Sequence, residues 1–410
     1  MTNLAVEADA GELGFDAQRL SRIDRRMARY VDEGLLPGWL TVVTRHGKIA
    51  HLSSYGHRDL EAGLGVEVDT LWRIYSMTKP ITSVAAMMLF EEGEFELTDP
   101  IHRWLPELAE PQVYVKGSAL RPVTEPATEP IRVWHLLTHT AGLTYGFHHA
   151  HPVDGLYRAA GFEWSTPQGK DLAACSEAWA ELPLLFQPGT EWNYSVATDV
   201  LGRLVEVVSG MPLDRFFAER ILGPLGMTET TFHVDGAAVD RLAALYVPDP
   251  VTRRAKRNDT FTDAIKKKPA CLQGGAGLAG TAADYHRFTQ LLLRGGELDG
   301  TRLLSPRTVR LMTRNHLPGD VDLEQFGRPL FAEIPFNGFG FGLGFSVLRD
   351  PAKAKTLSSE GEFAWGGAAS TAFWVDPAED LTVLFFTQLM PSSTYPLRQQ
   401  LRQLVYQALV

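Results

Sequence analysis

Cysteine is nearly absent: Cys175 and Cys271 are the only two in 410 residues. Neither lies in a CxxC or His-rich pattern, which excludes a disulfide scaffold and a thiolate zinc site as organising devices. They read as two isolated reduced thiols, with a single bridge left open. Long apolar runs are missing as well. The longest stretch to be buried, VAAMMLF at 84–90, is far too short to cross a bilayer, so no membrane insertion is expected. The opening residues, MTNLAVEADAGELGFDAQRL, show no basic segment followed by an apolar one, so no cleaved secretory signal is expected and the default location is cytoplasmic. Positive charge is in deficit. Lys and Arg number 39 against 49 Asp and Glu, a formal charge of -10, which removes any general attraction to nucleic acid or an anionic membrane. The basic run RRAKR at 253–257 sits among polar residues and reads as a solvated loop. There is no GxSxG elbow, no GxGxxG after a strand and no Walker motif.

What is present is a large globular core: 45% of the residues are hydrophobic and 21% charged. Residues 16–32 place Leu20, Ile23, Met27 and Val31 on one helical stripe. The period then changes. Leu40 to Thr44 and Ile49 to Ser53 read as a hairpin turning at His46-Gly47. From about 96 to 271 the chain offers prolines, helical stretches such as YSVATDVLGRLVEVVSG at 194–210, and few alternating strands. Strand character returns in GFGFGLGFSVL at 338–348, STAFWVDP at 370–377 and LTVLFFTQ at 381–388, before a terminal helix in PLRQQLRQLVYQAL. The economical solution is an α/β (α+β) fold. Early hairpin and late strands share one largely antiparallel sheet flanked by helices, making residues 1–95 and 272–410 a discontinuous domain. Residues 96–271 form a mainly helical insertion, with a cleft between the two.

YSMTKP at 75–80 raises the chemical question. A proline is tolerated only near a helix start, so Pro80 places Ser76 at an N-terminus, where free N-H groups and the dipole favour developing negative charge. Ser76 and Lys79, three apart, share a helix face. A serine hydroxyl is a poor nucleophile until a base takes its proton, and a lysine amine serves only where burial or neighbouring positive charge depresses its pKa below about 10.4. ITSVAAMMLF, which follows, is apolar enough to supply that burial. SxxK alone is also what a capping serine beside a solvated lysine looks like. Tyr194, just after the Pro188-Gly189 turn and before a helix, would relay a proton, or else pack as an ordinary aromatic. Gly366-Gly367, at a strand start, let another group approach the backbone and leave a peptide N-H for an oxyanion. The N-H groups of Ser76 and Ala368 are the donors assigned.

In combination SMTK at 76–79, HLLTHTAGL at 135–143, PGTEWNYS at 188–195, GGAGLAGTAADYHRF at 274–288 and WGGAAST at 365–371 resemble the serine β-lactamase and penicillin-binding-protein superfamily. More narrowly, they resemble the β-lactamase-like carboxylesterases called family VIII. The pieces span nearly 300 residues in the family order. The resemblance implies Ser76 as nucleophile, Lys79 as base, Tyr194 as the tyrosine of a YxN-type motif, Trp365 at the start of a KTG-type strand motif and Ala368 as second oxyanion donor. Two departures stand out. Val196 replaces the asparagine of YxN, and Trp365-Gly366-Gly367 replaces Lys-Thr-Gly, so the polar handles for an amide and a carboxylate are gone and Val196, Trp365, Gly366 and Gly367 become substrate-facing wall.

The expected activity is hydrolysis of short- to medium-chain acyl esters through an acyl-enzyme, with weak β-lactam turnover as a side activity and no metal or organic cofactor. A β-lactamase or D-alanyl peptidase-like amidase, an acyltransferase and a noncatalytic binding protein on the same fold remain as alternatives. His135 and His139 lack the carboxylate of an HExxH pair and read as structural, and the cluster FHHAHP at 147–152 reads as solvated imidazoles.

Overall fold

Two adjacent left-handed residues, His46 (φ 53°) and Gly47 (φ 71°), turn β1 (Gly38–Arg45) back into β2 (Lys48–Asp59), in the position where the sequence asks for a hairpin. The computed structural model describes residues 4–164, 166–328 and 336–410. β1 and β2 join β3 (Leu64–Gly65), β4 (Phe339–Phe341), β5 (Ser346–Leu348), β6 (Phe363–Gly366), β7 (Ala372–Asp376) and β8 (Leu381–Phe386) in one sheet. Its order is β4-β5-β6-β7-β8-β1-β2-β3, antiparallel throughout. First and last thirds of the chain meet at β1 and β8, where Leu40 faces Phe386 and Val43 faces Val383.

Alternation along each central strand feeds two cores. Leu40 and Val42 of β1 and Leu384 and Phe386 of β8 point into one, while Trp39, Val43, Val383 and Phe385 point into the other. With both faces buried, the strands read as continuous apolar runs such as LTVLFF. On the first face lie α2 (Thr78–Glu91) and α4 (Ala282–Leu293), with α3 (Ala197–Ser209) packed against α2. α1 (Arg22–Asp32) and α5 (Leu397–Tyr406) cover the second through Ile23, Met27, Leu401 and Val405. Every residue of α2 from Thr78 to Leu89 is buried, because helices cover it on the side away from the sheet.

The middle of the chain departs from expectation in two hairpins. Tyr246–Pro248 pairs with Ala255–Arg257, so the run RRAKR, expected as a solvated loop, is partly a strand whose Arg257 reaches Asp59. Gln112–Ser118 and Arg121–Pro126 form a hairpin that is almost wholly exposed. With no face on a core it carries no apolar alternation, so periodicity could not reveal it. Both thiols are free, as the sequence reading expects, and both are buried. No helix among the described residues is long and apolar enough to cross a membrane.

α5 is bolted to the sheet by a buried ion pair. Arg402 donates from Nη2 to Glu362 Oε1 at 2.7 Å and from Nε at 3.1 Å, and Tyr406 and Ser358 bring their hydroxyls to the same carboxylate. Such a pair adds little over an apolar substitute, but removing one partner strands a charge in low dielectric. Arg402→Met should therefore destabilise the protein by about 3 to 5 kcal/mol, read from urea unfolding; a loss under about 1 kcal/mol would show that water reaches Glu362.

Candidate active site

A tight 3-10 turn, Tyr75–Met77, delivers Ser76 to the start of α2. Tyr75 holds φ at 45°, a left-handed conformation that a bulky residue adopts only when its surroundings impose it. Its ring packs against the small buried cluster of Leu245, Ala369 and Met390, against which Ala368 also packs. Ser76 is partly exposed at the floor of a cleft of about 820 Å³, lined mainly by aromatic side chains such as Phe147, Trp164, Phe232 and Phe339.

Lys79, one turn on, is only 1% exposed. Its ammonium nitrogen finds three partners: Gly275 O at 2.8 Å, Tyr145 Oη at 2.9 Å and Ser76 Oγ at 3.5 Å. The Gly275 carbonyl can only accept, and burial pushes the Tyr145 phenol well above its ordinary pKa and keeps it neutral. The remaining direction, the longest contact, faces the serine. Below the ammonium, 4.6 Å from its nitrogen, lies the centre of the Tyr194 ring.

The peptide unit that precedes the Gly275 carbonyl, Gly274-Gly275, is held by a second buried group. Asp199, on the first turn of α3, accepts the Gly275 N-H at 2.9 Å, and burial raises the pKa of its carboxyl while the Lys79 cation opposes that rise. The segment Gly274-Gly275 threads between α2 and α3: a Cβ on Gly275 would meet Asp199 Oδ2 at 2.7 Å, and one on Gly274 would meet Thr198 O at 2.9 Å. Thr82 of α2 closes the arrangement by donating to Gly274 O at 2.6 Å.

Tyr194 stands among rings, with centroids of His139, Tyr145 and Trp365 at 5.0, 5.4 and 5.4 Å. Its oxygen accepts the Trp365 indole N-H at 3.4 Å, and among the described residues neither Ser76 nor Lys79 is a hydrogen-bond partner of its hydroxyl. Trp365 and Gly366 end β6, and the chain turns through Gly367 and Ala368 before entering β7. The glycines admit two different neighbours. A Cβ on Gly367 would run into the carbonyl oxygen of Ile74, two residues before the serine, and one on Gly366 into the Arg398 guanidinium. The end of β6 is thereby pressed against the turn that carries Ser76, and among the described residues neither the Ser76 nor the Ala368 N-H donates to a backbone acceptor. Val196, buried, forms part of the cleft wall, its own N-H spent on Thr144 O at 3.4 Å.

All eight residues singled out from the sequence line or floor this cleft, except that Lys79 lies just beneath it. Tyr145, Asp199 and Gly275 were missed. Tyr145 lies two residues past the HLLTHTAGL stretch and Gly275 inside GGAGLAG, so the motifs run close to these contacts without making them visible.

The histidines serve as props. His139 (φ 56°) is neutral, its pKa pulled well down by burial and then by the Lys79 cation, and its Nδ1 pairs with Ser195 Oγ at 3.2 Å. His148 reaches Tyr194 O, His149 reaches Glu163, and His151 caps a helix through Val153 N. No group of three or more metal-binding side chains occurs among the described residues.

His135 accepts the Arg132 N-H at Nδ1, 3.0 Å, at the start of the helix Val133–Leu137, and burial with the nearby Arg132 charge draws its pKa down to about 4. Between pH 6.5 and 4 the unfolded chain binds a proton that the folded chain refuses, so stability falls as pH falls. His135→Gln, which keeps an acceptor, should lose about 2 kcal/mol less than the parent between pH 7 and 5 in urea titrations; parallel slopes would contradict this.

Residues 23–407 match the family description Beta-lactamase. The chain is 42% identical over 366 residues to an uncharacterized protein of Mycobacterium tuberculosis, with 88% of each covered. Against Esterase EstB of Burkholderia gladioli the identity is 32% over 421 residues, covering 98% of this chain and 99% of that one. Among solved structures, EstCE1, described as a hydrolase with promiscuous acyltransferase activity, gives a TM-score of 0.78 at 29% identity over 95% of this chain and 99% of that chain.

Proposed function

The chain belongs to the beta-lactamase family, and from that premise we propose that it is a family VIII-type serine carboxylesterase that hydrolyses short- to medium-chain acyl esters through an acyl-enzyme on Ser76. The observation that carries the reading is the buried Lys79 amine, whose two short hydrogen bonds to Gly275 O and Tyr145 Oη leave its third direction to Ser76 Oγ.

Lys79, in its neutral amine form, takes the Ser76 proton as Oγ attacks the ester carbonyl and becomes the ammonium. The Ser76 and Ala368 N-H groups receive the oxyanion. Tyr194, whose oxygen already accepts the Trp365 indole N-H, passes its own proton to the departing alcohol and recovers one through Lys79. Water then repeats the attack on the acyl-enzyme. Preference for esters over β-lactams is supported by the wall itself: Val196 offers no hydrogen bond to an amide, and the indole N-H of Trp365 is engaged with Tyr194. The cleft volume supports a second reading. About 820 Å³ leaves room beside a short acyl group for a sizeable alcohol, so an alcohol bound in place of water would turn hydrolysis into acyl transfer.

A serine-reactive phosphonate should add mass at Ser76, and Ser76→Ala should abolish labelling and turnover with folding intact; label elsewhere with full activity in that variant would sink the mechanism. Tyr194→Phe should cost about 10² to 10⁴ in kcat and Tyr145→Phe less, since the second removes only a partner of the base; equal losses would assign the relay to both phenols. For p-nitrophenyl and ethyl butyrate against a chromogenic cephalosporin, kcat/KM should favour esters at least about a hundredfold, near 2.7 kcal/mol. Faster cephalosporin turnover than hydrolysis of both butyrates would reject the esterase assignment. Alkyl butyrates forming when alcohols are added would establish the transfer reading.

A further inference from the structure

Arg398 lies on α5, far from Ser76 in sequence, yet its guanidinium reaches the turn that follows β6. Nη2 donates to Gly367 O at 2.8 Å and to Thr371 O at 2.9 Å, and Thr371 O also accepts the Gly367 N-H at 2.9 Å. The approach is a built one, because the guanidinium occupies the space that a side chain on Gly366 would need. Gly367 O belongs to the same peptide unit as the Ala368 N-H. A trans peptide is planar with its C=O and N-H pointing in opposite directions, so a group that fixes the oxygen fixes where the hydrogen points. A charge-assisted bond to that oxygen also draws electron density from the nitrogen and strengthens the N-H as a donor.

We infer that Arg398 is a positioning residue for the oxyanion hole, holding and polarising the Gly367-Ala368 peptide from its carbonyl end. This rests on the reading of Ala368 as an oxyanion donor. Arg398 borders the cleft but spends its Nη2 on the two carbonyls, and the helix that carries it is anchored one turn further along α5 by the buried pair of Arg402 with Glu362.

The test compares Arg398→Lys and Arg398→Met with the parent protein on p-nitrophenyl butyrate carrying ¹³C at the carbonyl. A positioning role predicts that kcat in Arg398→Met falls between about 10- and 100-fold, less than loss of a whole oxyanion donor, with KM within about threefold. The acyl-enzyme carbonyl band, followed by rapid-mixing infrared spectroscopy, should move to higher wavenumber as polarisation is lost, Arg398→Lys should lie between, and added guanidinium should partly restore kcat. If Arg398→Met fails to fold, Arg398→Lys carries the same comparison, with its melting temperature as control. An unmoved band with kcat within about threefold overturns the inference. So does a rise in KM confined to esters bearing a carboxylate, which would make Arg398 a substrate-binding cation. A parent protein that takes no phosphonate on Ser76 overturns the esterase reading and this inference together; a labelled parent with unmoved bands in both variants overturns the inference alone.

Discussion

A lysine ammonium withdrawn from water is the constraint on which the rest of the site depends. Removing such a charge from solvent costs several kcal/mol unless acceptors replace the lost hydration. For Lys79 they come from the turn before its own helix (Ser76), the middle of the chain (Tyr145) and the segment before α4 (Gly275), with two phenol rings near the nitrogen. Each acceptor has its own support. Asp199 holds the Gly275 peptide, and only glycine backbone is thin enough to pass between α2 and α3 at that point. Packing of α3 on α2, the Gly274-Gly275 thread and the orientation of the buried carboxylate are therefore one arrangement.

A second juxtaposition meets the first at Ser76. The sheet places the end of β6 beside the turn that precedes the serine, and the Ile74 carbonyl lies where a side chain on Gly367 would be. The left-handed Tyr75 belongs to the same region, since its ring and Ala368 both pack against the cluster of Leu245, Ala369 and Met390. Two peptide N-H groups from opposite ends of the chain, Ser76 and Ala368, then border the same cleft. Because β6 is a strand in the middle of a paired sheet and α2 is wholly buried, neither side yields easily. That rigidity suits a site whose chemistry rests on positioned dipoles.

Aromatic side chains give the cleft its character. Tyr194 is caged by rings, and Trp365 spends its single donor on Tyr194. The same residue thus fixes a phenol and presents an apolar ring to the cleft. The wall is mostly apolar, as small-molecule clefts usually are, with Ser76 at its floor and Lys79 just beneath.

By itself the sequence determined what depends on near neighbours. The 76 to 79 spacing sets two side chains on one helix face, Pro80 marks the helix start, His46-Gly47 turns a hairpin, and runs such as LTVLFF announce strands buried on both faces. Motif order across nearly 300 residues announced the family and, with it, the positions of Tyr194, Trp365 and Ala368. The exposed hairpin at 112–126 escaped because a strand with no face on a core carries no pattern. Tyr145, Asp199, Gly275 and Arg398 escaped for another reason. Each takes its place through a partner 30 or more residues away: Arg398 on the Gly367 carbonyl, Asp199 on the Gly275 N-H, Tyr145 and Gly275 on Lys79. Such contacts leave no periodicity in the chain: three of the four end on a backbone carbonyl or N-H, which makes no demand on the side chain of the residue that supplies it, and the fourth, Tyr145 on Lys79, joins two side chains far apart in sequence. Only the closing of the sheet and the packing of α2, α3 and α5 around it decided which peptide each of them would meet.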